Sequence, residues 1–128
     1  METLTTNGIT ITVETQYLSS HSSPQHGLFS FAYHITIVNG SPDTVQLLSR
    51  HWLIWDSDGR RREVNGAGVV GEQPIIGPGG HFAYHSFCEL GTDMGKMSGS
   101  YRMERQRDKA QFEVTIPAFR MIVPARQN

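Results

Sequence analysis

Three glycines with the spacing G-x-G-x-x-G stand in the run Gly66-Ala67-Gly68-Val69-Val70-Gly71. Where such a run follows a buried strand and opens a helix, the first amides of the helix and its dipole hold a pyrophosphate. Here no helix can follow. Gln73-Pro74 comes directly after Glu72, and Gly77-Pro78-Gly79-Gly80 breaks whatever could start next. The run is therefore expected as a loop between strands, and two readings of it stand side by side. Successive amides of a glycine-permitted turn can form a concave nest for phosphate oxygens, with Arg60, Arg61 and Arg62 arriving on the adjoining strand. Alternatively, Gly66, Gly68 and Gly71 serve a tight turn or bulge that needs positive φ, with Val69 and Val70 packing on the body of the domain.

Other residue types capable of chemistry are scattered. Nine of the eleven basic residues are arginines (Arg50, Arg60, Arg61, Arg62, Arg102, Arg105, Arg107, Arg120 and Arg126). That bias suits bidentate recognition of phosphate or carboxylate, and equally suits ordinary surface ion pairs. The six histidines raise the question of a divalent-cation site. On a strand His81 and His85 stand about 13 Å apart, too far to share an ion, so a site would need cross-strand partners such as His34 with His85, or His21 with His26. Sequence assigns no metal site and no cofactor. Cys88 falls in an apolar phase with Phe82 and Tyr84, where a cysteine is a small core residue. Ser49 and His51 share a strand face without an acid partner, and no nucleophile elbow or carboxylate pair is present, so the chain reads as non-enzymatic. Trp52 and Trp55, three apart on a strand, face opposite sides. With Arg50 and His51 they make a candidate interaction surface for a protein partner, since aromatic and arginine residues anchor interfaces.

Composition narrows the class. The 128 residues are the length of one domain, 1–128, and the net charge of -1 offers no global field for nucleic acid or an anionic membrane. No run approaches the roughly 20 apolar residues of a membrane span. The first residues, Met1-Glu2-Thr3-Leu4-Thr5-Thr6, lack the pattern of a signal peptide. A single cysteine precludes an internal disulfide, which fits a reducing cytoplasm.

The elements that must position these residues are strands. Ile9, Ile11 and Val13 alternate with Thr10, Thr12 and Glu14, and Phe29, Phe31, Tyr33, Ile35 and Ile37 alternate with Ser30, His34 and Thr36. Asn39-Gly40-Ser41-Pro42-Asp43 makes a turn. Val45 to Trp55 is apolar on both faces, as in a central strand or one whose bulge switches faces. Asp56-Ser57-Asp58-Gly59 closes a hairpin, and Arg60 to Val64 runs back. Further strands are expected around Phe82 to Cys88, Met97 to Met103, and Phe112 to Ile116. Pro117 is expected to end the last of these or mark an edge, before a final strand at Phe119 to Val123. Between them, Glu104 to Lys109 reads as a charged hairpin tip. Strands without helices predict an all-β antiparallel sandwich of about seven or eight strands, with a core over about 8–124 and short flexible termini.

The residues themselves resemble the ApaG family from about Val13 to Pro124. The resemblance is carried by Phe31-Ala32-Tyr33-His34-Ile35-Thr36-Ile37, Val45-Gln46-Leu47-Leu48-Ser49-Arg50-His51-Trp52, and Glu63-Val64-Asn65 running into the glycine stretch and Glu72-Gln73-Pro74. It continues through Pro78-Gly79, Phe82-Ala83-Tyr84, Gly95-Lys96-Met97-Ser98-Gly99-Ser100-Tyr101 and Ile116-Pro117-Ala118-Phe119. It implies an immunoglobulin-like or fibronectin type III-like sandwich. Bacterial members are associated by name with diadenosine tetraphosphate hydrolysis and with cobalt and magnesium tolerance, and related domains occur in eukaryotic F-box and DNA polymerase-interacting proteins. No reaction is common to these contexts. The expectation is therefore a binding or adaptor module for a protein partner. The alternatives are pyrophosphate or nucleotide binding through the glycine loop, and divalent-cation binding.

Overall fold

A strand with one face on a core repeats its apolar residues with period two, and this chain does so almost throughout. The computed structural model describes residues 1–124, so Arg126 lies outside the described residues. In chain order the strands are β1 (Glu2–Thr6), β2 (Ile9–Tyr17), β3 (Phe29–Asn39), β4 (Val45–Asp56), β5 (Arg61–Ala67), β6 (Ile75–Ile76), β7 (His81–Leu90), β8 (Met94–Arg105) and β9 (Gln111–Ile122). Two short 3-10 turns, Ser19–His21 and Pro24–His26, lie between β2 and β3. No helix among the described residues is long and apolar enough to cross a membrane.

All pairing is antiparallel and forms two sheets, ordered β1-β2-β3-β7 and β5-β4-β8-β9, with β6 also on β4. The expected all-β sandwich is thus the observed architecture. Ile9, Ile11, Phe31, Ile35, Ile37, Leu47, Met97, Tyr101, Met103, Ile116 and Met121 fill the space between the sheets and are almost wholly buried. Burial of this apolar surface is the main stabilising term.

Two bulges set the phase of the second sheet. Between Leu47 and Ser49, β4 carries one residue more than β8. Val45 and Leu47 therefore point inward before the bulge, while Trp52 and Ile54 point inward after it. The second bulge lies between Met97 and Gly99 of β8, opposite Phe119 and Ile116. It places the extra residue of β9 around Pro117-Ala118, where a missing N–H on an edge strand costs no ladder bond.

The structure departs from the sequence reading at three places. β9 runs continuously through Pro117, so the two strands expected there are one. Glu2–Thr6, expected as a flexible end, forms β1, tied to β2 by Thr3–Thr12 and Thr5–Thr10 hydroxyl contacts of 3.3 and 2.8 Å. The strand after Gly59 extends past Val64 to Ala67, so Gly66 belongs to a strand and pairs with Arg50 rather than lying in a loop.

Candidate functional site

The two sides of the sandwich are unlike. On one side β1 and β2 pack against β9 and close it. On the other, the edge strands β5 and β7 leave a cleft between the sheets of about 320 Å³, with Tyr33, Arg50, Trp52, Ile54, Arg62, Val64, Ser86, Phe87, Cys88, Glu89 and Met97 around it. Every residue of β5 except Gly66 is exposed, including those whose side chains share the inward phase of Ile54 and Trp52. Among the described residues, the side-chain hydrogen bonds joining the two edges come from Arg62, which donates through Nη2 to the Glu89 carbonyl and stands 3.9 Å from the Cys88 sulfur.

The glycine motif serves this cleft indirectly. Bulging β4 at Leu48 turns the Leu48 carbonyl away from β8, and it accepts instead from the Gly68 amide at 2.8 Å and from Gln73 Nε2 at 2.9 Å. Past the bulge, Arg50 shares the inward phase of Trp52, and its Nη1 donates to the carbonyls of Ala67 and Gly68 at 3.1 and 2.9 Å. A Cβ on Gly66 would lie 2.8 Å from Cζ, Nη1 and Nη2 of Arg50 alike, so the guanidinium face occupies the place of a side chain at residue 66. Val69 and Glu72 then exchange hydrogen bonds of 2.8 and 2.9 Å around Val70 (φ 43°) and Gly71 (φ 80°), the geometry of a type I′ turn.

The anion nest, one of the two readings of the run, would need Arg60, Arg61 and Arg62 beside the glycine turn, and the structure does not bring them there. The amides of Gly68, Val69 and Glu72 already donate to carbonyls. Arg61 pairs with Trp55 and Gly66 with Arg50, so the Arg60–Arg62 cluster begins at the opposite end of β5, about 13–16 Å away at strand spacing. Arg60 is held by Asp58 at 2.8 Å, and Arg62 turns toward β7. Gly66 and Gly68 thus lie against Arg50 instead. Val69 packs in the core as expected, whereas Val70 is 52% exposed.

The four residues of the candidate interaction surface divide between the two faces of β4. Arg50 and Trp52 point inward, with Trp52 2% exposed and edge-on to Tyr33 and Phe119 at centroid distances of 5.5 and 5.9 Å. His51 and Trp55 point outward; His51 Nε2 meets Glu63 Oε2 at 2.5 Å, and the Lys96 ammonium sits 4.8 Å from the Trp55 ring. Trp52 Nε1 is a buried donor without a hydrogen-bond partner.

Sequence reasoning missed Tyr33, Val64, Ser86 and Phe87 as lining residues. Phe87 carried a signal: it is a large apolar side chain in the polar phase of β7, and it is 64% exposed. Burial raises the phenol pKa of Tyr33, opposed by a hydrogen bond from Ser86, and pushes the Cys88 thiol up despite the nearby Arg62 cation. A thiol so held is protonated at neutral pH, the state of a packing residue. His34 and His85 face each other directly across β3 and β7, with Glu14 opposite His34 on β2. Among the described residues no group of three or more His, Cys, Asp or Glu side chains could hold a metal.

The model of the ApaG domain matches residues 19–105. The chain belongs to the ApaG family. Its ApaG relatives include Protein ApaG of Brucella suis biovar 1, 47% identical over 128 residues and covering 100% of this chain and 98% of the relative. Protein ApaG of Pseudomonas paraeruginosa is 48% identical over 120 residues, 94% of each chain. A crystal structure from Bordetella pertussis superposes with a TM-score of 0.88 at 39% identity, covering 91% of this chain and 94% of that one. The stretch matched by the ApaG domain contains the bulge, the glycine motif and both edges of the cleft.

Proposed function

We propose that this ApaG-family chain is a recognition module, without chemistry of its own, that takes up an extended segment of a protein partner along the open edge between β5 and β7. The observation that carries this reading is the asymmetry of the sandwich: one side closed by β9, the other open beside an exposed β5. An edge strand presents unpaired backbone N–H and C=O groups, which either recruit another strand or must be protected from doing so. Here the apolar Val64, 38% exposed, stands at the opening and offers surface that an added strand would cover, while Phe87, 64% exposed, stands on the outer face of β7 against His85. The chemistry available at the cleft, two guanidiniums and a protonated thiol, suits binding rather than bond breaking.

Selection of peptides from a displayed random library against the immobilised chain, followed by N-methylation of each peptide amide in turn, tests the reading. Strand addition requires that methylation abolish binding at every second position and be tolerated between them. A library that yields no binders, or binders indifferent to N-methylation, contradicts it.

A further inference from the structure

The inner face of β5 presents its side chains in a row at alternate positions: Arg62, Val64 and Gly66. The third place in that row is filled by the guanidinium of Arg50, which lies where a side chain at residue 66 would begin. Along the open edge the row therefore reads cation, apolar, cation. Its ends are four residues, or about 13 Å, apart at about 3.3 Å per residue. A strand lying alongside has the same repeat, so its residues i, i+2 and i+4 face the three places.

Both cations keep donors for a ligand. A guanidinium carries five N–H groups; Arg50 commits Nη1 to the loop carbonyls and Arg62 commits Nη2 to β7. The acidic residue at the cleft is Glu89, whose carbonyl already holds Arg62, so the lining carries more positive than negative charge.

We infer that the segment bound at this edge carries the pattern acidic–x–apolar–x–acidic, with one carboxylate on Arg62, the other on Arg50, and the central apolar side chain over Val64. This rests on the strand-addition reading above and adds its specificity. The carboxylates match the planar fork of arginine, and the apolar residue covers the exposed Val64. The pattern also fixes register, because a slip of one residue turns all three side chains away from the cleft.

The test uses the full chain and a fluorescent peptide in which two glutamates, four apart in a threonine-rich background, flank a central valine. Replacing either glutamate by glutamine should weaken binding about tenfold, the effect of losing a hydrogen-bonded charged partner. Arg62→Gln should make the chain indifferent to one of the two glutamates while leaving the other's effect intact. That selective coupling is not produced by a merely destabilised fold. Equal binding of the glutamate and glutamine peptides, with alternate N-methylation still abolishing both, overturns the acidic pattern and leaves strand addition standing. A phosphoserine peptide binding far more tightly than the glutamate peptide overturns the carboxylate assignment. Absence of binding by either peptide at millimolar concentration overturns the pattern, and strand addition falls with it when the library also yields no binders or only binders indifferent to N-methylation.

Discussion

The guanidinium of Arg50 lies face-on to Gly66, with Cζ, Nη1 and Nη2 each 2.8 Å from the place where a Cβ would stand. Gly66→Ala would displace the guanidinium and break its bonds to the carbonyls of Ala67 and Gly68, a loss of about 1–3 kcal/mol. In a double-mutant cycle with Arg50→Ala, denaturant unfolding should show strong non-additivity, because each change removes the same contact. Additive effects would separate Gly66 from Arg50.

The other two glycines of the motif should respond unequally. At Gly68, φ is 61° and a Cβ would come 2.1 Å from the Glu72 carbonyl oxygen, so Gly68→Ala should cost more than about 3 kcal/mol. At Gly71, φ is 80° but nothing lies within 4 Å, so Gly71→Ala should cost only about 1–2 kcal/mol, the left-handed penalty itself. Thermal unfolding of the two variants ranks them.

Val70 holds a φ of 43° that a β-branched side chain disfavours, at a position 52% exposed. Val70→Asn would create the Asn-Gly pair that type I′ turns favour and should stabilise the domain by about 1 kcal/mol. A lower unfolding midpoint in denaturant would mean that the exposed valine contributes packing outweighing its strain.

Asp108 accepts from Arg105 Nε at 3.0 and 3.2 Å and from Arg105 Nη2 at 3.0 Å, and also from the Ala110 amide, which together lower its carboxyl pKa to about 2. A depressed folded-state pKa stabilises above the unfolded value and loses that contribution as pH falls through the folded one, here between the ordinary 3.8 and about 2. Carboxyl NMR titration should find Asp108 in that low range, and Arg105→Gln should move it upward toward the ordinary value.

Period-two alternation made the strands and the sandwich legible, because one-faced burial writes itself directly into residue order. The bulge at Leu48 was legible only as a run apolar on both faces, since one inserted residue leaves no compositional mark. Without its place, the inward phase of Arg50 could not be deduced. Pro117 suggested a strand end because its missing N–H is a local fact, whereas the bulged edge position that tolerates it depends on pairing. β1 was hidden for a related reason: four of its five residues are exposed, so it alternates weakly. The arginines of Arg60–Arg62 and the glycines of Gly66–Gly71 are near in sequence, yet an extended strand between them carries the two groups apart. The openness of the β5–β7 side depends on the alignment of two whole sheets and has no local signature.

Amide hydrogen exchange of the full chain, with and without saturating glutamate–x–valine–x–glutamate peptide, decides whether β5 accepts an added strand. Strand addition at the open edge predicts slowed exchange at alternate residues between Arg61 and Ala67, with β1 and β9 unchanged. Protection confined to β1 and β9, or exchange in β5 unaffected by bound peptide, would contradict it.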